Sequence, residues 1–456
     1  MASLDHIFKA YDVRGLVPDQ WGPGEAYAIG AAFARFALDR EGAERILVAR
    51  DMRPSGVELT AAFSDGTTDQ GIDVVELGLA STDLLYFASG TLSAPGAVFT
   101  ASHNPAQYNG IKFCLSGAKP VGQDTGLDDI SRLAATFLES GHAPHGATKG
   151  NVEHANLLHA FADHVVGFVT HPEQLRPLKV VADTANGMGG LVCPAVFAKL
   201  PFELDMLYGE LDGTFPNHPA DPIQAENLED LQARVLDTGA DVGLAFDGDA
   251  DRVFLVDEQA QPISGSTTTA MVAKAMLERH PGAVILHNLI CSKAVPEIVE
   301  ENGGTPVRTR VGHSFIKETM AETGAVFGGE HSGHYYFLDN FRADSGLIAT
   351  VVVLEMLSRS GQELSELRKP FERYVASGEI NSKVDDPHAV IRRVAEQFSS
   401  GKQDELDGLT IDFGDWWFNV RPSNTEPFLR LNLEARTREE CDKYVGEVLD
   451  VIQRGE

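Results

Sequence analysis

Three aspartates at alternate positions stand in one short segment, Asp247-Gly-Asp-Ala-Asp-Arg, between two apolar runs. Asp247, Asp249 and Asp251 bring several hard oxygen atoms onto one turn, which is how proteins hold Mg²⁺ or Ca²⁺. An EF-hand is excluded because Arg252 stands where that loop needs glycine, and because the flanking runs are typical of strands. A solvated acidic turn is the alternative, but crowded like charges are costly without a cation.

A serine follows another apolar run in the segment Thr100-Ala-Ser-His-Asn-Pro. Its neighbours favour turns and expose backbone N–H groups, so Ser102 is suited to act as a nucleophile or a phosphate carrier. For this motif alone, a plain turn in which Ser102 and Asn104 bond the backbone is an equal alternative. The segment lacks the Gly-x-Ser-x-Gly pattern, which argues against an α/β-hydrolase.

A third polar segment, Gly329-Glu-His-Ser-Gly-His, places a carboxylate, a hydroxyl and two imidazoles between glycines. Glu330, Ser332 and His334 form a set of acceptors and donors that suits the hydroxyls of a sugar. A zinc site built from Glu330, His331 and His334 is the competing interpretation. We favour the sugar, because strand-like spacing sends neighbouring side chains to opposite faces.

A fourth segment near the end of the chain reads Arg421-Pro-Ser-Asn-Thr-Glu-Pro. Arg421 supplies a planar charged fork, and Ser423, Asn424 and Thr425 add hydroxyl, amide and backbone donors. This set suits a phosphate dianion. As a lone motif it is also compatible with a capped turn.

The first three segments each end a similar stretch of chain, in which buried-strand patterns alternate with helical spacing. The stretches open on the runs Arg45-Ile-Leu-Val-Ala, Leu178-Lys-Val-Val-Ala and Gly282-Ala-Val-Ile-Leu. This pattern predicts one α/β unit that is repeated three times, with a largely parallel sheet in each copy. The polar segments then fall at the carboxyl ends of strands, where such sheets carry their sites.

The chain is long enough for several hydrophobic cores, and we expect four domains. A polar stretch at 140–150 is a plausible linker, and the segment after the helical pattern at 347–357 does not resemble the three repeats. The fold class is therefore α/β, with three mixed α/β units and a smaller α+β domain at the C-terminal end. The predicted domains are 1–147 with the serine loop, 148–251 with the aspartate loop, 252–364 with the sugar loop and 365–456 with the phosphate loop.

The 456 residues carry a formal net charge of −30, which argues against nucleic acid as the main partner. The four cysteines have no close pair, and Asp5 interrupts the apolar stretch that a secretory signal would need. We therefore expect a cytoplasmic protein that does not associate with membranes. Because the bulk charge repels a phosphorylated ligand, the site must concentrate positive charge locally.

Together with the opening Lys9-Ala-Tyr-Asp-Val-Arg-Gly, the four segments occur at domain-sized intervals. In their order along the chain, from Lys9 through the serine, aspartate and sugar loops to the phosphate loop, they resemble the α-D-phosphohexomutase superfamily, and most closely its phosphomannomutase/phosphoglucomutase branch. The resemblance runs the whole length of the chain. It implies four domains around a central cleft and an enzyme that moves a phosphoryl group between two positions of a hexose.

The resemblance also implies roles for individual residues. Ser102 would be the phosphoserine, and Asp247, Asp249 and Asp251 would hold Mg²⁺ together with an oxygen of that phosphoserine. Substrate-binding roles would fall on eight residues: Tyr11, Glu330, Ser332, His334, Arg421, Ser423, Asn424 and Thr425. Catalytic roles beside Ser102 would fall on Arg14, Lys112, Arg252 and His313.

The implied reaction is a reversible exchange between mannose 6-phosphate and mannose 1-phosphate through a hexose 1,6-bisphosphate, which also serves as activator. A proton must leave one sugar oxygen and reach another, and Lys112 and His313 are the candidates for this transfer. Arg14 is better suited to stabilise charge, because its guanidinium scarcely titrates.

Several alternatives remain open. Within the family, His331 favours the mannose/glucose branch over phosphoglucosamine mutases, which tend to have glutamine there, while activity on glucose alone or on glucosamine stays possible. A haloacid-dehalogenase-type phosphatase would use Asp247 as its nucleophile, although the fifth position, Asp251, is atypical. A non-catalytic sugar-phosphate sensor would leave the complete set of motifs unexplained. We expect a monomer or a weak homodimer.

Overall fold

The structure is a computed structural model that describes residues 4–141, 143, 146, 148–422 and 428–453. The chain folds into two compact units. The first comprises residues 1–263 and 332–367, and the second comprises residues 264–331 and 368–456. Each unit is therefore assembled from two separate stretches of the chain.

The elements of residues 1–263, the first stretch of the first unit, fall into two groups. Up to residue 155 they are β1 Val13–Leu16, α1 Pro23–Glu41, β2 Arg45–Arg50, α2 Gly56–Asp69, β3 Asp73–Leu79, α3 Thr82–Leu92, β4 Gly96–Phe99, β5 Tyr108–Leu115, β6 Lys119–Pro120, α4 Leu127–Ser140 and β7 Val152–His154. They continue with α5 Leu158–Val166, β8 Lys179–Asp183, α6 Gly189–Phe197, β9 Glu203–Leu207, α7 Glu229–Thr238, β10 Val242–Phe246, β11 Val253–Asp257 and β12 Pro262–Ile263.

The chain then enters the second unit, returns to the first and ends in the second. The first stretch of the second unit contains α8 Gly265–Arg279, β13 Val284–Asn288, α9 Ala294–Glu301, β14 Thr305–Thr309, α10 His313–Thr323 and β15 Phe327–Gly329. Those of the return to the first unit are β16 Tyr335–Phe337, β17 Ala343–Asp344, α11 Gly346–Ser360 and α12 Leu364–Leu367. The last are β18 Val375–Lys383, α13 Pro387–Gln397, β19 Lys402–Asp404, β20 Leu409–Asp412, β21 Trp417–Pro422, β22 Phe428–Ala435 and α14 Arg438–Gln453.

Three parallel strand trios share one topology. In each trio the first strand is central, the second pairs on one side of it and the third pairs on the other side, all in parallel. The trios are β2 with β3 and β4, β8 with β9 and β10, and β13 with β14 and β15. Their first and third strands coincide with the runs that the sequence analysis matched, so the predicted repeat and the mixed α/β fold class are confirmed.

The repeat brings a functional segment to the same place in each copy. Strands β4, β10 and β15 are buried along their whole length, which explains their uninterrupted apolar sequences. Each of them ends directly before a polar segment, at Thr100, Asp247 and Glu330 respectively. The serine, aspartate and sugar loops therefore occupy equivalent positions in three copies of one unit.

Antiparallel strands extend the first two sheets. Strand β5 pairs with β4 and with β1, and strand β11 forms a hairpin with β10. The aspartate segment is the connection of that β10–β11 hairpin. The predicted domain boundary between residues 251 and 252 falls inside the hairpin.

A separate antiparallel sheet lies in the C-terminal part of the second unit, in the order β18-β22-β21-β20-β19. Helices α13 and α14 contribute Val394, Val448 and Ile452 to its core, where they join strand residues such as Phe418 and Leu431. This sheet lacks the parallel trio, which agrees with the predicted change of domain type. None of the helices in the described ranges combines the length and the apolar run that crossing a bilayer requires.

Candidate active site

Ser102 lies in the loop that follows β4, and its side chain is buried. Its backbone has a positive φ of 49°, and its backbone N–H donates to Thr100 Oγ1 at 2.9 Å. Its hydroxyl donates to Asp247 Oδ2 at 2.8 Å. The structure thus brings together two segments that are 145 residues apart in sequence.

The three aspartates of the β10–β11 connection are all buried, and their carboxylate oxygens converge. Lys112, on β5, donates to Asp249 Oδ2 and to Asp251 Oδ2, both at 2.6 Å. The second oxygens, Asp249 Oδ1 and Asp251 Oδ1, are buried without a hydrogen-bond donor. Buried carboxylate oxygens that lack donors are what a hard divalent cation requires, so the donor set fits a metal ion.

Burial and neighbouring charges shift the protonation of this cluster. Burial raises the pKa of Asp247 to about 7, against the opposing charge of Arg252. Burial alone would also raise the pKa of Asp249, but the ammonium of Lys112 holds that pKa below its ordinary value. The same two contacts, to Asp249 and Asp251, outweigh burial and keep the pKa of Lys112 well above its ordinary range. Lys112 is therefore a cation in this arrangement and holds its proton tightly.

Gly248 permits the close approach of the serine and aspartate loops. A Cβ atom at this position would lie 2.4 Å from the carbonyl oxygen of Ser102, a distance that real side chains essentially never show. Only glycine therefore allows the two loops to pack at their present separation.

The cations of the predicted site in this unit are each paired with a carboxylate. The pairs are Arg14 with Asp12, Lys112 with Asp249 and Asp251, and Arg252 with Asp247. Arg14 also donates to Asn104 Oδ1 at 2.7 Å, which ties it to the serine loop. The expected local excess of positive charge is therefore not supplied by these side chains alone.

Three further residues of the site were not predicted from sequence. Arg53, after β2, donates to carbonyl groups of the serine loop, and Thr82, the first residue of α3, donates to Asp249 Oδ2 at 2.6 Å. His103 Nδ1 lies 3.4 Å from the hydroxyl of Ser102, and burial together with the charges of Arg252 and Arg14 lowers the pKa of His103 to about 2. His103 is therefore neutral at physiological pH. Its place directly after Ser102 was the signal that could have identified it.

His334 lies at the edge of the same cluster, since its Nδ1 is 2.9 Å from Asp344 Oδ2 and 3.8 Å from Asp251 Oδ1. Its backbone also forms an isolated antiparallel bridge with Arg252. Asp251, His334 and Asp344 form a second group, among the described residues, that could hold a metal ion.

The second unit carries its own predicted residues. Glu330, directly after β15, is buried and accepts hydrogen bonds from Asn288 Nδ2 and from the backbone N–H of Gly312, both at 3.2 Å. Arg421, on β21, is buried and donates to Glu379 Oε2 at 2.8 Å. His331 Nδ1 lies 2.9 Å from Ser266 Oγ, and burial lowers the pKa of its ring.

The remaining predicted residues are less defined. Tyr11 and Ser332 are half-buried in turns of the first unit. His313 begins α10, but its side chain lies outside what the structure describes. Ser423, Asn424 and Thr425 lie outside the described residues altogether.

Four family models match the chain in succession. Their descriptions are phosphoglucomutase/phosphomannomutase alpha/beta/alpha domain I at residues 5–137, domain II at 159–261, domain III at 264–374 and the C-terminal domain at 379–451. The chain belongs to the phosphoglucomutase/phosphomannomutase family. The predicted four-domain organisation and the predicted family are thereby confirmed.

Named relatives agree with this assignment. The chain is 40% identical over 440 residues to a phosphomannomutase of Salmonella montevideo, a match that covers 94% of both chains. It is 39% identical over 433 residues to a protein of Xanthomonas campestris pv. campestris named phosphohexose mutases, with 94% of this chain and 95% of that protein covered. Among solved structures, a phosphoglucomutase/phosphomannomutase family protein from Burkholderia thailandensis superimposes with a TM-score of 0.89 at 32% identity, over 98% of each chain.

Proposed function

We propose that this chain is a phosphomannomutase that interconverts mannose 6-phosphate and mannose 1-phosphate, and that it also acts on the glucose phosphates. The observation that carries the proposal is the 2.8 Å hydrogen bond from Ser102 Oγ to Asp247, in a cluster that holds two further buried carboxylates. A nucleophilic hydroxyl beside a candidate cation site is the arrangement that phosphoryl transfer needs. The phosphomannomutase relatives support the choice of substrate.

The proposed reaction has two balanced steps. First, the free hydroxyl of a hexose monophosphate attacks the phosphorus of phospho-Ser102, so that the bond to the serine oxygen breaks and a bond to the sugar oxygen forms. The product is a hexose 1,6-bisphosphate and free Ser102. After the bisphosphate has reversed its orientation, the serine hydroxyl attacks the other phosphate, which restores phospho-Ser102 and releases the isomeric monophosphate.

A divalent cation is part of this proposal. Asp247, Asp249 and Asp251 would hold Mg²⁺ together with an oxygen of phosphorylated Ser102, and the cation would supply charge that offsets the oxygens of the transferring phosphoryl group. The support is the pair of buried oxygens on Asp249 and Asp251 that lack a donor. With the side-chain cations already paired, a bound cation would also supply the positive excess that a phosphate ligand requires.

Each step also moves one proton from an attacking to a leaving oxygen. Lys112 and His313 are the groups we propose for this transfer, with Arg14 and Arg252 stabilising the developing charge. The contacts of Lys112 with two carboxylates keep it charged, so it would donate a hydrogen bond to the serine oxygen as that oxygen leaves. The opposite transfer requires a group that is neutral at physiological pH, and an imidazole such as that of His313 suits it.

Eight residues would hold the sugar phosphate. Hydroxyl contacts fall to Glu330, Ser332, His334 and Tyr11, and the phosphate that is not being transferred falls to Arg421 with Ser423, Asn424 and Thr425. The buried carboxylate of Glu330 and the buried guanidinium of Arg421 support these roles, because a carboxylate accepts from sugar hydroxyls and a guanidinium donates to phosphate oxygens. A cytoplasmic location and a monomeric or weakly dimeric state complete the proposal.

A coupled assay of mannose 1-phosphate and glucose 1-phosphate turnover tests the function, with glucosamine 1-phosphate as the competing substrate. We expect Ser102→Ala to abolish turnover, and the matched variant Ser116→Ala, which alters a serine bonded to Glu41, to retain it. A preference for glucosamine 1-phosphate would overturn the substrate. Full turnover by Ser102→Ala would overturn the mechanism, and hydrolysis without isomerisation that depends on Asp247 alone would favour a phosphatase.

A further inference from the structure

Arg53 is a completely buried arginine that none of the proposed catalytic steps uses. It lies after strand β2, whose central place in the first parallel trio puts it beside β4 and the serine loop that follows. Its guanidinium donates five side-chain hydrogen bonds. The acceptors are the carbonyl oxygens of Ser102 at 2.9 Å, Asn104 at 2.6 Å, Pro105 at 2.7 Å and Tyr108 at 3.0 Å, and the carboxylate of Asp51 at 3.1 Å.

Three carbonyl groups of the loop between β4 and β5, and that of Tyr108 at the start of β5, thus converge on a single cation. The loop departs from regular structure, since Ser102 has a positive φ, and its carbonyl groups have no strand partner to satisfy them all. A guanidinium presents its donors in a rigid planar fork, whereas an ammonium is a point charge with three rotatable donors. Arginine therefore fixes the relative positions of these carbonyls in a way that lysine does not.

The surroundings of Arg53 isolate it from ligands. Asp51, which is also fully buried, balances its charge, and the ring of Phe215 lies 5.0 Å from the guanidinium carbon. Burial lowers the pKa of Arg53, and the charges of Asp51 and Asp249 oppose that change. An arginine enclosed in this way holds the backbone that carries Ser102 and does not contact a substrate.

The opposite side of the same backbone is also fixed. The carbonyl oxygen of Ser102 accepts from Arg53 and lies against Gly248 of the aspartate loop. The direction of the Ser102 hydroxyl toward Asp247 is thereby set by the guanidinium on one side and by a glycine contact on the other.

We propose that Arg53 is a positioning residue for the reaction, which sets the placement of Ser102 relative to the aspartates by holding three carbonyl groups of the serine loop and that of Tyr108 at the start of β5. This inference rests on the proposed function, in which Ser102 carries the phosphoryl group. Misplacement by about 1 Å costs on the order of 100-fold in rate, while binding of the sugar phosphate by other residues is unaffected.

The test compares Arg53→Lys with Arg393→Lys. Arg393 also donates to two backbone carbonyls, those of Val451 and Ile452, but it lies in helix α13 of the last domain. For Arg53→Lys we expect kcat to fall roughly 10- to 100-fold with KM changed less than about twofold, and slower phosphorylation of Ser102 by a hexose bisphosphate. For Arg393→Lys we expect wild-type kcat and KM.

A purely structural role predicts a different result, namely a lower melting temperature of Arg53→Lys with kcat per folded molecule unchanged, and this would overturn the proposal. If Arg53→Lys does not fold, the double variant Asp51→Asn/Arg53→Gln removes both buried charges and leaves neither unpaired. A normal kcat in that variant would equally overturn the proposal. Wild-type protein that neither isomerises hexose phosphates nor becomes phosphorylated would refute the proposed function itself. This outcome is distinct from the outcomes that refute the role of Arg53, because those require an active wild-type enzyme.

Discussion

The contact between Gly248 and the serine loop gives a sharp prediction for Gly248→Ala. The added Cβ would meet the carbonyl oxygen of Ser102 at 2.4 Å and its carbonyl carbon at 3.3 Å. Because contacts below 3.0 Å are essentially absent from real structures, the serine loop must retreat by at least ~0.6 Å. The other near atom, the Cβ of Ala220, lies at 3.6 Å and does not obstruct the change.

A retreat of this size lengthens the 2.8 Å bond between the Ser102 hydroxyl and Asp247 and misdirects the nucleophile. We expect kcat to fall between about 10- and 100-fold, since small misplacements of a reacting group are costly. The KM for mannose 1-phosphate should change little, because the residues proposed to bind the sugar phosphate are elsewhere. Overpacking should also reduce the free energy of unfolding by about 1–3 kcal/mol.

The assay is steady-state turnover of mannose 1-phosphate, normalised to folded protein by circular dichroism. The matched control is Gly446→Ala in helix α14, where an added Cβ meets no atom within 4 Å. This control should retain full kcat and gain stability, since alanine is the better helix former. Wild-type kcat in Gly248→Ala would refute the reasoning that the loop separation sets the reactivity of Ser102.

Three further predictions concern titratable groups near the site. Lys112→Met should lower the free energy of unfolding of the metal-free protein by about 3–5 kcal/mol, because Asp249 and Asp251 lose their ammonium partner. In a thermal melt, added Mg²⁺ should recover part of this loss, and an unchanged melting temperature of the variant would contradict the prediction. Burial raises the pKa of Asp83 from 3.8 to about 7, so between about pH 4 and 7 the folded protein binds a proton that the unfolded protein has lost, and the free energy of unfolding should fall as the pH rises. In urea titrations, the free energy of unfolding of Asp83→Asn should depend less on pH over that range than that of the wild type. Because the pKa of His103 lies near 2, the dependence of kcat on pH between pH 5 and 8 should have the same shape in His103→Gln as in the wild type. If the variant lost a rise or a fall in kcat that the wild type shows in this range, His103 would be a group that changes protonation during the reaction.

Much of the fold was predictable because local patterns and the fold agree. The three openings at Arg45, Leu178 and Gly282 correspond to central parallel strands, and the third strand of each trio ends where a polar segment begins. Buried parallel strands have uninterrupted apolar sequences, and functional groups follow their carboxyl ends. Both the strands and the positions of the candidate site residues could therefore be predicted from the sequence. The boundary at 251/252 cuts a hairpin, because no glycine- or proline-rich linker marks the passage from β12 into α8.

The sequence motifs of the site could be predicted, but several of its residues and contacts could not. Asp247 was recognisable, but its contact with Ser102 depends on packing between two sheets, which no local pattern encodes. Arg53 was missed because an arginine in a polar turn is usually solvated, and only its tertiary surroundings reveal four convergent carbonyl groups. The signal that could have identified it is Asp51-Met-Arg directly after a buried strand, since a charge pair at a strand end is placed where sites form.

The central claim is that Ser102 carries the phosphoryl group beside the aspartate cluster. The most direct measurement is the intact mass of the protein after incubation with mannose 1,6-bisphosphate and Mg²⁺, followed by peptide mapping. The account predicts the added mass of one phosphoryl group, located on Ser102, and no added mass in Ser102→Ala. An unmodified wild-type protein that nonetheless isomerises mannose phosphates, or a phosphoryl group found on Asp247 instead, would contradict it.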